Sequence, residues 1–129
     1  MEPKDLIDQI YADFSRGDID AVLENCDHRI SFVMVADPKF SKYAGAAIDK
    51  QGFRDRAASL HEDFEYLGID QIDTIAEGDR VVVRNEVHLK RRTTGADFTM
   101  EVADFWTIRD GKAVELVSFY DTALFARML

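Results

Sequence analysis

The sequence predicts a single α+β domain over residues 1–129, with helices in the first half and strands in the second. Apolar residues recur at helical spacing before residue 65, and four strand-like segments with short turn signals between them follow it. Helices that precede a run of strands pack on one face of the sheet. At 129 residues, the chain is long enough to bury a core without disulfides or metals.

Three helices are expected before residue 65. Pro3 suits the first turn of the first helix, whose apolar stripe consists of Leu6, Ile7, Ile10, Tyr11 and Phe14. Gly17 ends this helix, and Asp18 can cap a short second one. The third helix carries an apolar series at spacings of four, three and four, namely Phe53, Ala57, Leu60 and Phe64.

Five strands are expected. Residues 30–35 are rich in branched and aromatic side chains, whereas residues 36–47 contain Asp37-Pro38 and Gly45 and predict a loop. The later strands are residues 65–76, 80–92, 97–109 and 112–120, separated by the turn signals EGD, TTG and RDG. Such short connections make neighbouring strands antiparallel.

The composition disfavours several classes of partner. The net charge of −9 would repel nucleic acid, and no apolar run approaches the roughly 20 residues that a membrane helix needs. The single cysteine, Cys26, leaves no internal disulfide and fits a reducing compartment. We therefore expect a cytoplasmic protein with neither a nucleic acid nor a membrane as partner.

The strands carry apolar residues on both faces of the sheet, although the helices cover only one. An uncovered apolar face of this size is typical of a protein interface, so we expect a homodimer through the convex face. A β-bulge that shifts the alternation is the competing explanation.

Several motifs resemble the SnoaL-like branch of the nuclear transport factor 2-like superfamily. They are YADFSRGDIDAVLE near the start, IDQIDTIAEGDRVVVRNEVHLKRRTTG in the middle and FWTIRDGKAVELVSFYDTALFARML at the end. The resemblance implies a cone-shaped α+β barrel, in which a curved mixed or antiparallel sheet and three helices of the N-terminal half enclose a pocket. It does not imply one activity, because this scaffold hosts cyclases, isomerases, epoxide hydrolases and binding modules.

The residues match the known activities unequally. Steroid isomerases of this fold use a first-strand carboxylate and a first-helix tyrosine, but Phe32 or Val33 stands at the strand position and Tyr11 is one residue out of step. Epoxide hydrolases use an Arg-x-Asp pair and a last-strand Asp, where this chain has Arg84-Asn85-Glu86 and Ser118. SnoaL-type polyketide cyclases use an Asp before the terminal helix, which Asp121 matches; a helix N-cap explains Asp121 equally well.

The epoxide hydrolase resemblance also implies which face of the sheet lines the pocket. Its pocket residues are Arg84, Glu86, His88, Asp104, Trp106, Leu116, Ser118 and Tyr120. Apolar walls would come from Phe14, Phe32, Met34, Tyr43 and Phe53. On this facing, Glu86 and Asp104 divide the roles of acid and base, and His88 shares a proton with Glu86.

Two other interpretations of these strands remain open. The alternating Arg84, Glu86 and His88 are typical of a solvated face with weak ion pairs. If the sheet faces the other way, Asn85 or Glu101 supplies the polar pocket group, and the core contains Val81, Val83, Val87 and Phe105. A metal bound by Glu86, His88 and Asp104 lacks a supporting spaced His pair, so no metal site is expected.

The resulting expectation is a cofactor-free acid–base enzyme that acts on a small hydrophobic carbonyl compound. Its candidate catalytic residues are Asp121, Glu86, Asp104, His88 and Arg84. The alternatives are a non-catalytic module of the same fold, which binds a small ligand or only dimerises, and an epoxide-hydrolase-like enzyme.

Overall fold

All 129 residues are described by the structure, a computed structural model. Four helices and six strands follow one another in the order α1 (Pro3–Ser15), α2 (Ile19–Glu24), β1 (Cys26–Val35), β2 (Gly45–Ile48), α3 (Asp49–Asp63), β3 (Phe64–Glu77), β4 (Arg80–Arg91), β5 (Asp97–Arg109), β6 (Lys112–Tyr120) and α4 (Thr122–Met128). The predicted α+β class is confirmed. None of the helices has the length and apolar character that a membrane span requires.

The six strands form one mixed sheet in the order β2-β1-β6-β5-β4-β3. All neighbours are antiparallel except β1 and β6, which run parallel with Phe32 opposite Leu116 and Met34 opposite Ser118. The sheet is open, with β2 and β3 at its edges, so the implied barrel does not close. The short strand β2 overlaps the end of the segment 36–47, for which a loop was predicted.

Local sequence explains where the helices begin. Pro3 occupies the first turn of α1, where a missing N–H leaves no bond unmade. Asp18 caps α2 by accepting from the Ala21 N–H, and Asp121 caps α4 by accepting from the Leu124 N–H at 3.1 Å. These caps fix the ends of short helices that pack beside the sheet.

The hydrophobic core lies between the helices and one face of the sheet. The first helix contributes Leu6, Ile7 and Ile10, and the third contributes Phe53, Ala57 and Leu60. The sheet face beneath them carries Val81, Val83, Val87, Leu89, Trp106, Ile108 and Leu116. The predicted helical stripes therefore point into the core.

Strand register places the polar residues of this face in two rows across β4, β5 and β6. Val83, Asp104 and Ser118 stand opposite one another in one row. Asn85, Val102 and Tyr120 form the adjacent row. Residues directly opposite in a sheet point to the same face, so each row presents its side chains to the helices.

Candidate functional site

A cavity of about 100 Å³ lies between the helices and the two polar rows of the sheet. Seventeen of its twenty lining residues are hydrophobic, and the polar exceptions are Asn85, Asp104 and Ser118. The apolar walls include Ile10, Phe14, Phe32, Met34, Phe53, Leu60, Val87, Met100, Trp106, Leu116 and Phe125. An apolar cavity with a few convergent polar groups is the usual form of a small-molecule site.

Asp104 on β5 is the only carboxylate of the cavity wall, and it is only 6 % exposed. Ser118 Oγ donates to its Oδ1 at 2.7 Å, and Tyr11 Oη donates to its Oδ2 at 2.6 Å. Asn85 Nδ2 also donates to Oδ2, at 3.3 Å. The carboxylate is therefore held in one orientation by donors from α1, β4 and β6.

Burial raises the pKa of Asp104 above the ordinary value, because the apolar surroundings disfavour the charged form. The hydrogen bonds from Ser118, Tyr11 and Asn85 act in the opposite direction, and burial outweighs them. Asp104 therefore accepts and releases a proton closer to neutral pH than a solvated aspartate does.

Tyr11 connects this carboxylate to the indole ring of Trp106. Trp106 Nε1 donates to Tyr11 Oη at 3.0 Å, and the two rings meet edge to face with centroids 5.9 Å apart. Burial, followed by the nearby Asp104, raises the pKa of Tyr11 well above its usual range. The Tyr11 hydroxyl consequently keeps its proton and acts as a donor to Asp104.

Two polar atoms of the cavity residues have no hydrogen-bond partner although they are buried. They are Asn85 Oδ1, on a side chain that is 1 % exposed, and Tyr120 Oη. A buried polar atom without a partner is destabilising, so such atoms are rare in folded proteins. Both belong to the row Asn85–Val102–Tyr120, one at each end.

The cavity brings together nine of the residues predicted to line it: Phe14, Phe32, Met34, Phe53, Asp104, Trp106, Leu116, Ser118 and Tyr120. Tyr43 is buried but lies outside the cavity wall. Its hydroxyl donates to Asp63, which also pairs with Lys42, and its ring packs against Phe125. Tyr43 thus anchors the segment after β1 to the end of α3.

Arg84, Glu86 and His88 lie on the opposite face of the sheet, which corrects the predicted facing of β4. Arg84 pairs there with Glu101 at 2.6 Å and Asp73 at 3.3 Å. Glu86 is exposed, and His88 Nε2 lies 3.5 Å from Asp97. This face is the solvated one that the alternation also allowed.

The alternative prediction, in which the sheet faces the other way, is correct for β4 but wrong for β5. Val81, Val83 and Val87 lie in the core and Asn85 lies at the cavity, whereas Phe105 and Glu101 point to the other face. The physical reason is the register, because odd-numbered residues of β4 stand opposite even-numbered residues of β5. No group of three His, Cys, Asp or Glu side chains is arranged to hold a metal ion.

Asp121 is exposed and does not line the cavity. Its carboxylate caps α4, so the base position implied by the polyketide cyclase resemblance is occupied here by a capping residue that points away from the ligand space. Sequence reasoning did not select Tyr11 as a site residue: it belongs to an apolar helical stripe, and it is one residue out of step with the steroid isomerase tyrosine. The structure nevertheless places its hydroxyl on the Asp104 carboxylate.

A family model described as the SnoaL-like domain matches residues 7–116. The chain belongs to the SnoaL-like domain family. Solved structures similar to this SnoaL-like domain include TerC co-crystallized with polyporic acid (24 % identity, TM-score 0.88, covering 99 % of this chain and 98 % of TerC). An NTF2-like protein from Burkholderia thailandensis E264 is 25 % identical (TM-score 0.86, coverage 99 % and 97 %).

A third similar structure is a candidate polyketide cyclase from Xanthomonas campestris pv. campestris, with 20 % identity, a TM-score of 0.83 and coverage of 98 % and 95 %. No curated protein sequence matches this SnoaL-like domain at a significant level. The comparisons therefore give the family and the fold, and the chemistry has to be argued from the cavity.

Proposed function

We propose that this SnoaL-like domain is a cofactor-free acid–base enzyme that acts on a small, largely apolar carbonyl compound, with Asp104 as the proton-transferring group. One observation carries the proposal: a carboxylate with a raised pKa lies on the wall of an apolar cavity. A general base works best when its pKa lies near the working pH, and burial is a common means of raising it.

The proposed step is proton abstraction beside the carbonyl group. A C–H bond of the substrate breaks, its electron pair forms the enolate, and the proton moves to Asp104, which returns it to carbon. Tyr11, Ser118 and Asn85 orient the carboxylate for this transfer, since each donates a hydrogen bond to it. These three residues are positioning residues.

The ligand preference follows from the cavity wall and from one relative. A wall that is hydrophobic at seventeen of twenty positions favours an apolar compound. The structure of TerC with polyporic acid supports a small organic ligand for this fold. The candidate polyketide cyclase supports the same reaction class.

Hydrogen–deuterium exchange tests the proposal without knowledge of the natural product. Small ketones and aldehydes are incubated with the protein in D₂O, and NMR follows the loss of the C–H signal beside the carbonyl. We expect catalysed exchange by the unmodified protein, and a loss of about 100-fold or more in Asp104→Asn.

The matched controls are Glu86→Gln and Asp121→Asn, which change exposed carboxylates outside the cavity and should leave exchange intact. Asn also caps helices well, so the second control preserves α4. Loss of exchange in Asp121→Asn, with Asp104→Asn active, would overturn the assignment.

A binding module without turnover is the second candidate, and the three donors to Asp104 favour it because they already satisfy a buried carboxylate. Trp106, the single tryptophan, lines the cavity and reports ligand entry by its fluorescence. Ligands that change this fluorescence while none undergoes exchange would identify the binding module.

We also propose that the chain forms a homodimer through the sheet face opposite the helices. Phe119 is 46 % exposed there and meets Phe105 edge to face at 5.6 Å, and Val82 and Val117 share this face. Light scattering should give twice the chain mass, and Phe119→Asp should give a monomer. A monomeric unmodified protein at micromolar concentration would exclude this interface.

A further inference from the structure

The two unpartnered atoms of the cavity differ in chemistry and lie at opposite ends of one row. Asn85 Oδ1 can only accept a hydrogen bond, and Tyr120 Oη can donate one. Their strands lie two spacings apart, about 10 Å between Cα positions, with Val102 between them. A ligand over Val102 therefore meets an acceptor at one end and a donor at the other.

The surroundings of each atom reinforce this difference. Asn85 adjoins Asp104, whose carboxylate accepts hydrogen bonds, so that end favours a ligand group that donates. At the other end, burial raises the pKa of Tyr120, and the Ser41 hydroxyl, followed by the positive charge of Arg56, acts in the opposite direction. Ser41 can therefore donate to the Tyr120 oxygen, and the proton of Tyr120 Oη is left for a ligand. That end favours a ligand oxygen with partial negative charge.

Arg56 is a cation without a carboxylate partner. Its Nη1 donates to the backbone oxygens of Phe32 and Gly45, each at 2.8 Å, and its guanidinium stands 5.3 Å from the Phe32 ring centroid. No Asp or Glu lies within salt-bridge distance, so its charge is not neutralised locally. Phe32 lines the cavity, so this charge stands against one of the rings of the cavity wall.

The cavity volume limits the ligand. A dry cavity of about 150 Å³ holds one benzene molecule, so a cavity of about 100 Å³ takes a compound of roughly one ring unless side chains move.

We infer that the cavity takes a hydroxylated carbonyl compound of about one ring, whose hydroxyl donates to Asn85 Oδ1 beside Asp104 and whose carbonyl oxygen accepts from Tyr120 Oη. This inference rests on the proposed function, because it names the substrate class of the same site. It adds Tyr120 and Asn85 as residues that determine specificity.

Three ring compounds test the two contacts separately by titration calorimetry at pH 6. The probe 4-hydroxybenzaldehyde carries both groups, benzaldehyde lacks the hydroxyl, and phenol lacks the carbonyl. We expect the probe to bind about tenfold or more tightly than either truncated compound, since each truncation leaves one buried atom unpaired.

Two conservative variants assign the contacts to residues. Tyr120→Phe should abolish the advantage of 4-hydroxybenzaldehyde over phenol while leaving phenol binding unchanged, which also shows that the cavity is folded. Asn85→Leu should abolish the advantage over benzaldehyde. Because this variant also removes a donor to Asp104, the affinities for the two compounds are compared with each other within the variant. Additivity of such pairs fails only where the two groups interact, so the comparison isolates each contact.

The inference is overturned if the three compounds bind within a factor of two, or if Tyr120→Phe weakens all three equally. Its failure is distinguishable from that of the proposed function. If 4-hydroxybenzaldehyde binds most tightly but no compound undergoes deuterium exchange, only the acid–base role of Asp104 is refuted. If exchange depends on Asp104 but the three compounds bind with equal affinity, only the roles of Asn85 and Tyr120 in specificity are refuted.

Discussion

Replacing Asp104 with Asn should make the protein more stable at neutral pH. The change is nearly isosteric, and it removes a carboxylate that burial disfavours in its charged form. The amide retains the local hydrogen bonds: its oxygen accepts from Tyr11 and Asn85, while its NH₂ donates to Ser118, whose hydroxyl rotates to accept. The change therefore creates no cavity and keeps a hydrogen bond to each of the three neighbours.

The expected gain depends on pH in a defined manner. The pKa of Asp104 is raised in the folded state, so above the ordinary value of 3.8 the unfolded chain loses this proton first. Folding stability then falls as pH rises, by at most about 1.36 kcal/mol per pH unit for one proton, until the pH passes the folded-state pKa. Asp104→Asn lacks this decrease, so its advantage in free energy of unfolding over the unmodified protein grows with pH up to the folded-state pKa and then levels off.

Urea unfolding of both proteins at closely spaced pH values from 3 to 9 measures this difference. The slope corresponds to about 5 °C in melting temperature per pH unit for a chain of this length. The two proteins should be nearly equal in stability below pH 3.8, where Asp104 is protonated in both states. An Asp104→Asn protein that is less stable, by an amount that grows with pH, would mean that the three donors outweigh burial and that Asp104 is a structural anion.

Three further results are expected. Ser118→Ala removes a donor to Asp104 and should destabilise the protein by about 1.5–3 kcal/mol at pH 8 and by less at pH 4, in urea unfolding. Asp121→Ala removes the cap of α4 and should cost about 1 kcal/mol while ligand binding is unchanged. Cys26 is 2 % exposed, and burial raises the pKa of its thiol to about 12, so iodoacetamide should modify it only in urea.

The helices and long strands were predictable because their signals are local. The apolar stripe and Pro3 predicted α1, and short turns predicted the antiparallel neighbours of β3 to β6. The short strand β2 carries no such signal, since Gly-Ala-Ala-Ile has a low strand propensity. It forms because β1 offers a free edge, and Arg56 binds the backbone oxygen of Gly45 at its start.

The parallel pairing of β1 with β6 is a long-range property. The two strands are separated by most of the chain, and nothing in either segment specifies the other as its neighbour. This pairing nevertheless builds the site, because it sets Met34 beside Ser118 and Phe32 beside Leu116, which closes the cavity wall.

The facing of β4 depends on the length of one loop. Arg91 N–H bonds to Ala96 O, so four residues lie between these two partners, and Lys90 pairs with Asp97. An even number of residues between two paired positions places odd-numbered residues opposite even-numbered ones, whereas the predicted facing needs an odd number. The sequence TTG predicts a turn but not the length of the loop. The sequence therefore predicted Glu86 at the cavity, where the structure has Asn85.

The donor from Ser118 depends on a single extra residue in β6. The two-residue turn before Lys112 pairs Ile108 with Ala113, and a regular ladder from there would set Asp104 opposite Val117, with Ser118 on the other face. Instead Thr107 pairs with Glu115, so Val114 is an inserted residue and the register shifts by one. Ser118 then lies 2.7 Å from the carboxylate. The bulge at Val114 thus determines whether Asp104 receives a hydrogen bond from β6. The alternation of residues along the strand does not predict this bulge.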